Sequence, residues 1–312
     1  MSPFLHYDYM RFVKTSVTWF KPFFSRIACV TPGCSDEVLM ICPMKLRIDG
    51  KYYTLLGDMQ GCDIADVLWK RGLSEEEKKA ITRYFFDSMK DKMFLNRIPE
   101  ESPFAAGVPT ERISYTRDVE YVAIDIPKDY DAYFKTLSPS VRQNIRTAYN
   151  RMKRNEIPFE FRFIPDNRKL SSRCWTSLLH LYADRMINKK KKENALLTRL
   201  RFRLFLRFKH DTHSLRKKNG AVSAVLFSGE QLMAFFSGFL THSGTILVVP
   251  RLAINEAFRF YSPGYILMNE TIQYLGQNTD IRVLDMSRGD ERYKKDFGGR
   301  SYFIKDFVVE KA

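Results

Sequence analysis

The feature that most constrains the fold is a strand, turn, helix and strand pattern in the last third of the chain. Apolar runs at 245–250 and 281–286 predict two buried strands. Between them, Ser262 is predicted to be a helix N-cap, with Pro263 at the first helical position. Gly264 has no Cβ, so a bulky anion could approach the first-turn amides closely. The pattern predicts a helix whose N-terminus can hold a phosphate; an ordinary capped helix is the alternative.

The loop that leads into this helix resembles that of a known enzyme family. Arg259-x-x-Ser262-x-Gly264 is similar to the Arg/Gln-x-x-Gly-x-Gly/Ala loop of GNAT acyltransferases, which holds the pyrophosphate of coenzyme A. Ser262 stands where the family has its first glycine. The block Leu-Asp-Met-Ser-Arg-Gly-Asp-Glu-Arg-Tyr-Lys-Lys-Asp-Phe-Gly at 284–298 extends the resemblance to the subfamily of CelD-type cellulose-biosynthesis proteins. The specific part of the resemblance covers roughly 220–300.

The resemblance implies a fold, a donor and a set of donor-binding residues. The fold is α/β (α+β), with a mixed, mostly antiparallel sheet flanked by helices. The donor is acetyl-CoA or another acyl-CoA, whose pyrophosphate meets Arg259 and the amides that follow Ser262 and Gly264. The other residues expected to contact the donor are Leu247, Val248, Val249, Tyr265 and Lys294. For Lys294, an exposed and solvated cation is the alternative.

Acyl transfer to an amine or hydroxyl also needs a general base. Asp285 ends an otherwise apolar row on one face of the strand predicted at 281–286. Partial desolvation would raise the pKa of this carboxylate and make it a useful base. Asp285 could instead order the turn at 287–289. Asp290 and Glu291 are the second candidates for the base.

A direct transfer from donor to acceptor is predicted, because no serine or cysteine nucleophile with an adjacent base stands out. Tyr293 could donate a proton to the departing thiolate, or could simply pack. The CelD-like resemblance implies a cell-envelope or polysaccharide precursor as acceptor. The residues themselves show only that an amine or a hydroxyl is needed.

The length of 312 residues allows two domains. We predict an N-terminal α/β domain at 1–125 and a GNAT-like acyltransferase domain at 126–312. The first domain could be a smaller, degenerate copy of the second, as in tandem GNAT proteins such as the FemABX enzymes. Within it, Ser74-Glu-Glu-Glu77 is a capping box, and 63–69 is predicted to be a helix.

The chain has a formal net charge of +15, which favours an anionic partner. Basic helices are predicted at 140–154 and 196–218, and they could dock an acyl carrier protein or a tRNA. Solvated basic faces are the alternative. Two further functions therefore remain open: a Fem-like transferase that uses aminoacyl-tRNA, and a non-catalytic anion-binding module on a GNAT fold.

The composition also bears on metals and on location. The five cysteines are an odd number, which argues against a fully paired disulfide framework. Neither their spacing nor that of the histidines matches a zinc site, so no metal is predicted. No apolar run is long enough to span a bilayer, and the N-terminus does not resemble a signal peptide. A cytoplasmic location is therefore predicted.

Overall fold

A computed structural model describes residues 23–33, 36–47, 52–56, 64–189 and 220–311. Their contacts form two compact units. The first contains the described residues up to Tyr121 together with those from Tyr302 onwards, and the second is Val122–Ser301. The domain division predicted at 125/126 stays a prediction. The sequence also predicts a helix-like aromatic segment from Tyr7 to Trp19. This segment and the basic helix predicted at 196–218 lie outside the described residues.

The elements are numbered here in chain order. The strands are β1 Phe23–Val30, β2 Met40–Arg47, β3 Tyr52–Leu55, β4 Leu68–Trp69, β5 Met93–Pro99, β6 Ile113–Asp125, β7 Glu160–Ile164, β8 Ala221–Ser228, β9 Gln231–Leu240, β10 Ile246–Ile254, β11 Val283–Arg288 and β12 Arg300–Val309. The helices are α1 Glu75–Ser88, α2 Pro103–Ala106, α3 Tyr130–Thr136, α4 Pro139–Arg154, α5 Ser172–Lys189, α6 Pro263–Asn278 and α7 Arg292–Asp296. A 3-10 helix, Glu256–Tyr261, precedes α6.

In the first unit, β1, β2 and β3 form an antiparallel meander. Helix α1 follows, and β5 then pairs parallel with β3 and antiparallel with β12. The capping box of α1 is confirmed: the Ser74 hydroxyl accepts from the Glu77 N–H, and the Glu77 carboxylate accepts from the Ser74 N–H. The helix predicted at 63–69 is wrong. Leu68 and Trp69 instead pair with an edge of β2, so a long-range strand contact overrides the local apolar periodicity.

A partly buried carboxylate with a perturbed pKa lies in the first unit. Asp66 accepts hydrogen bonds from the Val67 N–H at 2.8 Å and from the Ser102 hydroxyl at 3.0 Å. Burial raises the pKa of Asp66 to about 6, even though both hydrogen bonds act to lower it. In the folded protein this group therefore keeps its proton to a higher pH than an ordinary aspartate does.

We expect Asp66→Asn to change how stability depends on pH. The folded-state pKa is higher than the unfolded one, so the stability of the native protein should fall as pH rises between about 4 and 6. A shift of about 2 units corresponds to about 3 kcal/mol at most. Asn cannot ionise, so the variant should gain stability relative to the wild type across this window. Urea unfolding at the two ends of the window measures the difference, with the exposed Asp91→Asn as control. Parallel pH profiles for wild type and Asp66→Asn would contradict the assignment.

The second unit repeats the element order of the first. Strands β7 to β10 form an antiparallel meander, α6 follows, and β11 pairs parallel with β10. The core between this sheet and helices α4 and α6 is apolar, with Ile145, Phe236, Leu267 and Leu284 among its buried members. The mixed, mostly antiparallel sheet flanked by helices that the sequence predicts is confirmed.

Gly276 has a different role from the predicted one. The sequence predicts that this glycine ends the helix in a left-handed conformation, but α6 continues to Asn278. A Cβ at Gly276 would lie 2.2 Å from the carbonyl oxygen of Pro127. Gly276 therefore permits close packing of the helix against the chain after β6, which no local pattern reveals.

Candidate active site

The N-terminus of α6 carries no side-chain cap. Ser262 precedes the helix with φ 51° and ψ 53°, a left-handed conformation, and makes no side-chain capping hydrogen bond. The predicted N-cap role of its hydroxyl is therefore wrong, because an N-cap side chain reaches the first turn from extended backbone. The first turn of α6 contains no acidic residue. Pro263 has no N–H, and the Tyr265 N–H donates to the Ser262 carbonyl oxygen at 3.0 Å, which leaves the Gly264 N–H for an external acceptor.

Helix α1, at the matching place in the first unit, begins differently. The side chains of Ser74 and Glu77 occupy its N-terminus, and Glu75, Glu76 and Glu77 are all in its first turn. Carboxylates there neutralise the positive end of the helix dipole and repel an incoming anion. Of these two matching helices, α6 is the one suited to bind a phosphate.

The left-handed backbone at Ser262 explains why the related loops have glycine at this position. A residue with a Cβ has a strained conformation there, at a cost of about 1 kcal/mol. We expect Ser262→Gly to raise the free energy of unfolding by up to about 1 kcal/mol, despite the greater freedom of glycine in the unfolded chain. Thermal unfolding measures the change, and Ser243→Gly in the exposed β9–β10 loop is the control. A loss of stability in Ser262→Gly would contradict this explanation.

The parallel strands β10 and β11 separate next to this helix end. They pair only from Ile246↔Val283 to Val248↔Asp285, although both strands continue beyond these residues. The register of β10 against β9 shifts between Val248 and Arg251. The bulge is tightly packed, since a Cβ on Gly238 would lie 2.2 Å from the Val248 carbonyl oxygen. The two strands therefore leave an opening on the carboxyl side of their shared segment.

A cavity of about 810 Å³ lies at this end of β10. Its wall is formed by four segments of the second unit: the end of β10 with the 3-10 helix, the start of α6, the last turns of α5, and the start of α7. The lining residues are Leu181, Asp184, Arg185, Asn188, Leu252, Ile254, Asn255, Glu256, Arg259, Ser262, Pro263, Gly264, Tyr265, Met268, Glu291, Tyr293 and Phe297. The volume is in the range of small-molecule sites.

Apart from Lys294, the predicted donor-binding residues fall into two groups. Arg259, Ser262, Gly264 and Tyr265 all line the cavity, and the Arg259 side chain is 80% exposed. A Cβ on Gly264 would lie 3.4 Å from a methyl group of Ile254, so the glycine keeps this wall open.

The second group lies in the sheet. Leu247, Val248 and Val249 are buried and do not line the cavity. Leu252 and Ile254, further along the same strand, do so instead. Sequence reasoning missed these two residues because the bulge between Val248 and Arg251 gives no local signal.

Asp285 is buried at the end of the shared strand segment. Its Oδ1 accepts a hydrogen bond from the Ser287 N–H at 2.8 Å. Ser287 has φ 56° and Gly289 has φ 112°, so the chain turns sharply directly after β11. The turn-ordering contact that the sequence left open is therefore present, and Asp285 is not among the residues lining the cavity.

Lys294 is buried, so the alternative of an exposed and solvated cation is wrong, and its contact with the donor stays a prediction. Its Nζ donates to the carbonyl oxygens of Arg288 at 2.9 Å and Gly289 at 3.0 Å. The same Nζ forms an ion pair with Glu291 at 2.9 Å. Lys294 thus holds the turn after β11 closed, and its charge is directed at protein oxygens.

Glu291 is the carboxylate of this turn that lines the cavity. Burial opposes its ionisation, but the hydrogen bond and charge of Lys294 outweigh that effect and lower the pKa of Glu291. Its side chain is 38% exposed, so a bound molecule can reach it. Glu291 is thus an ionised acceptor at the cavity wall.

Two tyrosines line the same wall. Burial raises the pKa of Tyr293 to about 12, with a contribution from Glu291, so the phenol keeps its proton at neutral pH. The Tyr265 hydroxyl donates to Asp296 at 2.8 Å, and its ring lies 5.5 Å from that of Phe297. Tyr293 can therefore donate a hydrogen bond into the cavity, whereas Tyr265 is held by α7.

Helix α5 supplies functional residues that sequence reasoning missed. Asp184 and Arg185 line the cavity, and Arg185 donates to the carbonyl oxygen of Leu252 on β10. The sequence predicts this helix but no role for it. Nothing in its apolar spacing shows which sheet edge it packs against.

No cluster of metal-ligating side chains occurs among the described residues. Within the same residues, no helix is long and apolar enough to cross a bilayer.

Comparisons with known proteins agree with this geometry. A family model described as an acetyltransferase (GNAT) domain matches residues 139–295, about half of the chain. The comparison with curated protein sequences gives no match.

Several solved structures share the fold. FemX has a TM-score of 0.56 at 9% identity, covering 97% of this chain and 95% of its own. A conserved protein of unknown function from Bacteroides thetaiotaomicron has a TM-score of 0.55 at 14% identity, covering 97% and 90%. L-PGS from Bacillus licheniformis has a TM-score of 0.51 at 13% identity, covering 96% and 91%. At these identities the likeness concerns the fold alone. With the family model matching half of its length, the chain belongs to the acetyltransferase (GNAT) domain family and is a GNAT-type acyltransferase.

Proposed function

We propose that this protein transfers an acyl group from acyl-CoA directly to an amine or hydroxyl acceptor. The observation that carries the proposal is the uncapped N-terminus of α6, which opens onto the cavity beside Arg259. A helix N-terminus whose Gly264 amide has no side-chain cap is suited to a pyrophosphate, and the exposed Arg259 adds positive charge for the phosphates of the donor. The gap between β10 and β11 then provides space for the pantetheine arm and the thioester.

The remaining side chains of the cavity suit the chemistry of transfer. We assign the general base to Glu291, because it is ionised and faces the cavity. The nitrogen or oxygen of the acceptor attacks the thioester carbon, its proton passes to Glu291, and the bond from carbon to sulfur breaks. Tyr293 donates a hydrogen bond to the departing thiolate. The thiolate then takes a proton from solvent and leaves as free CoA, while Glu291 releases its proton to solvent. Asp285 acts indirectly, by ordering the turn that presents Glu291.

The resemblance to CelD-type and tandem GNAT proteins suggests both the acceptor and a tandem arrangement of two domains. A CelD-like acceptor is a cell-envelope or polysaccharide precursor. We place the transferase in the cytoplasm, where such a precursor would be synthesised and could bind to it. The repeated order of meander, helix and parallel strand in the two units supports a tandem arrangement with a degenerate first copy. The acidic, side-chain-capped start of α1 is consistent with a copy that binds no donor.

Thermal shift with a series of acyl-CoAs tests the donor. A ligand that binds only the folded protein raises the melting temperature by mass action. We expect acyl-CoA to stabilise the wild type, with the preferred chain length giving the largest shift.

Aminoacyl-tRNA is tested in parallel, because α4 has five basic residues, namely Arg142, Arg146, Arg151, Lys153 and Arg154, and no acidic one. A shift with aminoacyl-tRNA and none with any acyl-CoA would replace this proposal by a tRNA-dependent transfer. No shift with either would favour a non-catalytic module.

A further inference from the structure

An exposed aromatic ring lies within the loop from Arg259 to Gly264. Phe260 belongs to the 3-10 helix that precedes α6, and it is 52% exposed. Phe260 is not among the residues that line the cavity, but its neighbour Arg259 is, so the ring is close enough for a flat group of a bound ligand to stack on it. The Arg259 side chain, 80% exposed, is its neighbour in the chain.

Helix α4 fixes this ring in place. The Arg151 guanidinium lies 4.7 Å from the Phe260 ring centroid, and its Nη1 donates to the Phe260 carbonyl oxygen at 2.8 Å. One residue further along the loop, the Tyr261 hydroxyl accepts from Asn155 at 3.1 Å. The Tyr261 ring also meets Phe260 nearly edge-on, with the centroids 5.3 Å apart, and about half of the Phe260 surface stays exposed for a further stacking partner. The side chains of Arg151 on α4 and of Asn155 at its C-cap thus hold the loop in a defined position.

The charges around the ring are positive. Arg259 has only a distant contact with Glu256, at 3.7 Å, and both residues are largely exposed. On α4, Lys153 and Arg154 are exposed close to Arg151 in sequence. A ligand that combines a flat ring with phosphate groups fits this surface better than an apolar ligand or a simple anion.

We propose that Phe260, backed by Arg151, and Arg259 form a subsite for the adenosine end of a CoA-type donor. Phe260 precedes Gly264 by four residues, a span of at most about 14 Å. The base stacks on the exposed part of the Phe260 ring, and the pyrophosphate lies at the N-terminus of α6. Arg259 then meets the phosphate on the ribose, instead of the pyrophosphate that the family resemblance implies. This inference rests on the proposed function, and adds how the enzyme distinguishes the complete cofactor from its pantetheine arm.

The test compares ligands with and without the nucleotide. Dissociation constants of CoA and of 4′-phosphopantetheine are measured for wild type, Phe260→Ala and Phe260→Tyr. Loss of one stacked base weakens binding by about tenfold. We expect Phe260→Ala to weaken CoA by this factor and to leave 4′-phosphopantetheine unchanged, and Phe260→Tyr to restore CoA binding. Phe303→Ala, at an exposed phenylalanine of the first unit, is the matched control and should change neither constant.

Arg259→Gln addresses the phosphate on the ribose. We expect it to reduce the preference for CoA over dephospho-CoA, which lacks that phosphate, by about fivefold or more. An unchanged preference would overturn the role of Arg259. Equal weakening of CoA and 4′-phosphopantetheine by Phe260→Ala, or no weakening of either, would overturn the subsite.

The design separates this inference from the proposed function. If the wild type binds CoA but the Phe260 variants do not discriminate, the subsite fails and the donor assignment stands. If the wild type binds neither compound, the donor assignment fails first. Uncharged tRNA, which also ends in adenosine, is titrated alongside. Binding of tRNA that falls in Phe260→Ala, with no binding of CoA, would overturn the CoA-type donor.

Discussion

Replacing Glu291 by Gln should lower kcat/KM for acyl transfer by about 10²–10⁴-fold, the range for loss of a general base. Gln keeps the size of the side chain and its place at the cavity wall, but it cannot accept the proton of the acceptor. Donor affinity should change little, because the proposed pyrophosphate contacts are at the start of α6 and do not include Glu291. Release of free CoA from acyl-CoA, with a panel of amines and amino sugars as acceptors, measures the rate.

Two matched variants make this result specific. Asp290→Asn changes an exposed carboxylate next in the chain and should leave the rate unchanged. Asp285→Asn can still accept from the Ser287 N–H, so it should cost far less than Glu291→Gln. The opposite order, with Asp285→Asn nearly inactive and Glu291→Gln active, would return the base to Asp285. Because the pKa of Glu291 is lowered, the wild type should show no loss of rate from this group between about pH 6 and 8.

Lys294→Met should produce a large loss of stability, about 2–4 kcal/mol. Removing one member of a buried ion pair leaves the other charge uncompensated, which costs about 3–5 kcal/mol when both are fully buried. The partial exposure of Glu291 reduces this figure. The variant also leaves the carbonyl oxygens of Arg288 and Gly289 without the Nζ donor. Urea unfolding measures the change.

The double variant shows whether the loss comes from the ion pair. Lys294→Met with Glu291→Gln should recover part of the stability, because the orphaned charge is gone, and the coupling between the two changes is then measurable. Lys295→Met, at the exposed neighbouring lysine, should change stability by no more than about 0.5 kcal/mol. A Lys294→Met protein as stable as Lys295→Met would contradict the role of Lys294 in closing the turn.

The elements could be predicted from sequence where their signals are local. The capping box at 74–77, the strand at 300–309 and the helix that begins at Pro263 all depend on residues close together in the chain. The same is true of Arg259, Gly264 and Tyr265, which flank one helix start and therefore reach one cavity together. Periodicity and capping chemistry act over a few residues, so they succeed here.

The rest depends on contacts between distant segments. The burial of Lys294 follows from the turn that Ser287 and Gly289 make, and their positive φ angles leave no reliable sequence signal. Arg185 reaches the cavity only because α5 packs against β10. Serine is common at N-caps, where the backbone is extended, so nothing in the sequence indicates a left-handed backbone at Ser262. A run of charged residues or an apolar helix face can be recognised in the sequence, but the sequence does not show which surface of the sheet that helix packs against.

The most direct test of the account is calorimetric titration of CoA into wild type, Gly264→Glu and Gln231→Glu. Glutamate in the first turn of α6 suits the helix dipole, so Gly264→Glu should fold, while its charge repels the pyrophosphate. Gln231→Glu adds the same charge at an exposed position outside the cavity. The account predicts that the wild type and Gln231→Glu bind CoA equally, and that Gly264→Glu binds at least about tenfold more weakly. Equal binding by all three proteins would show that the start of α6 is not the donor site.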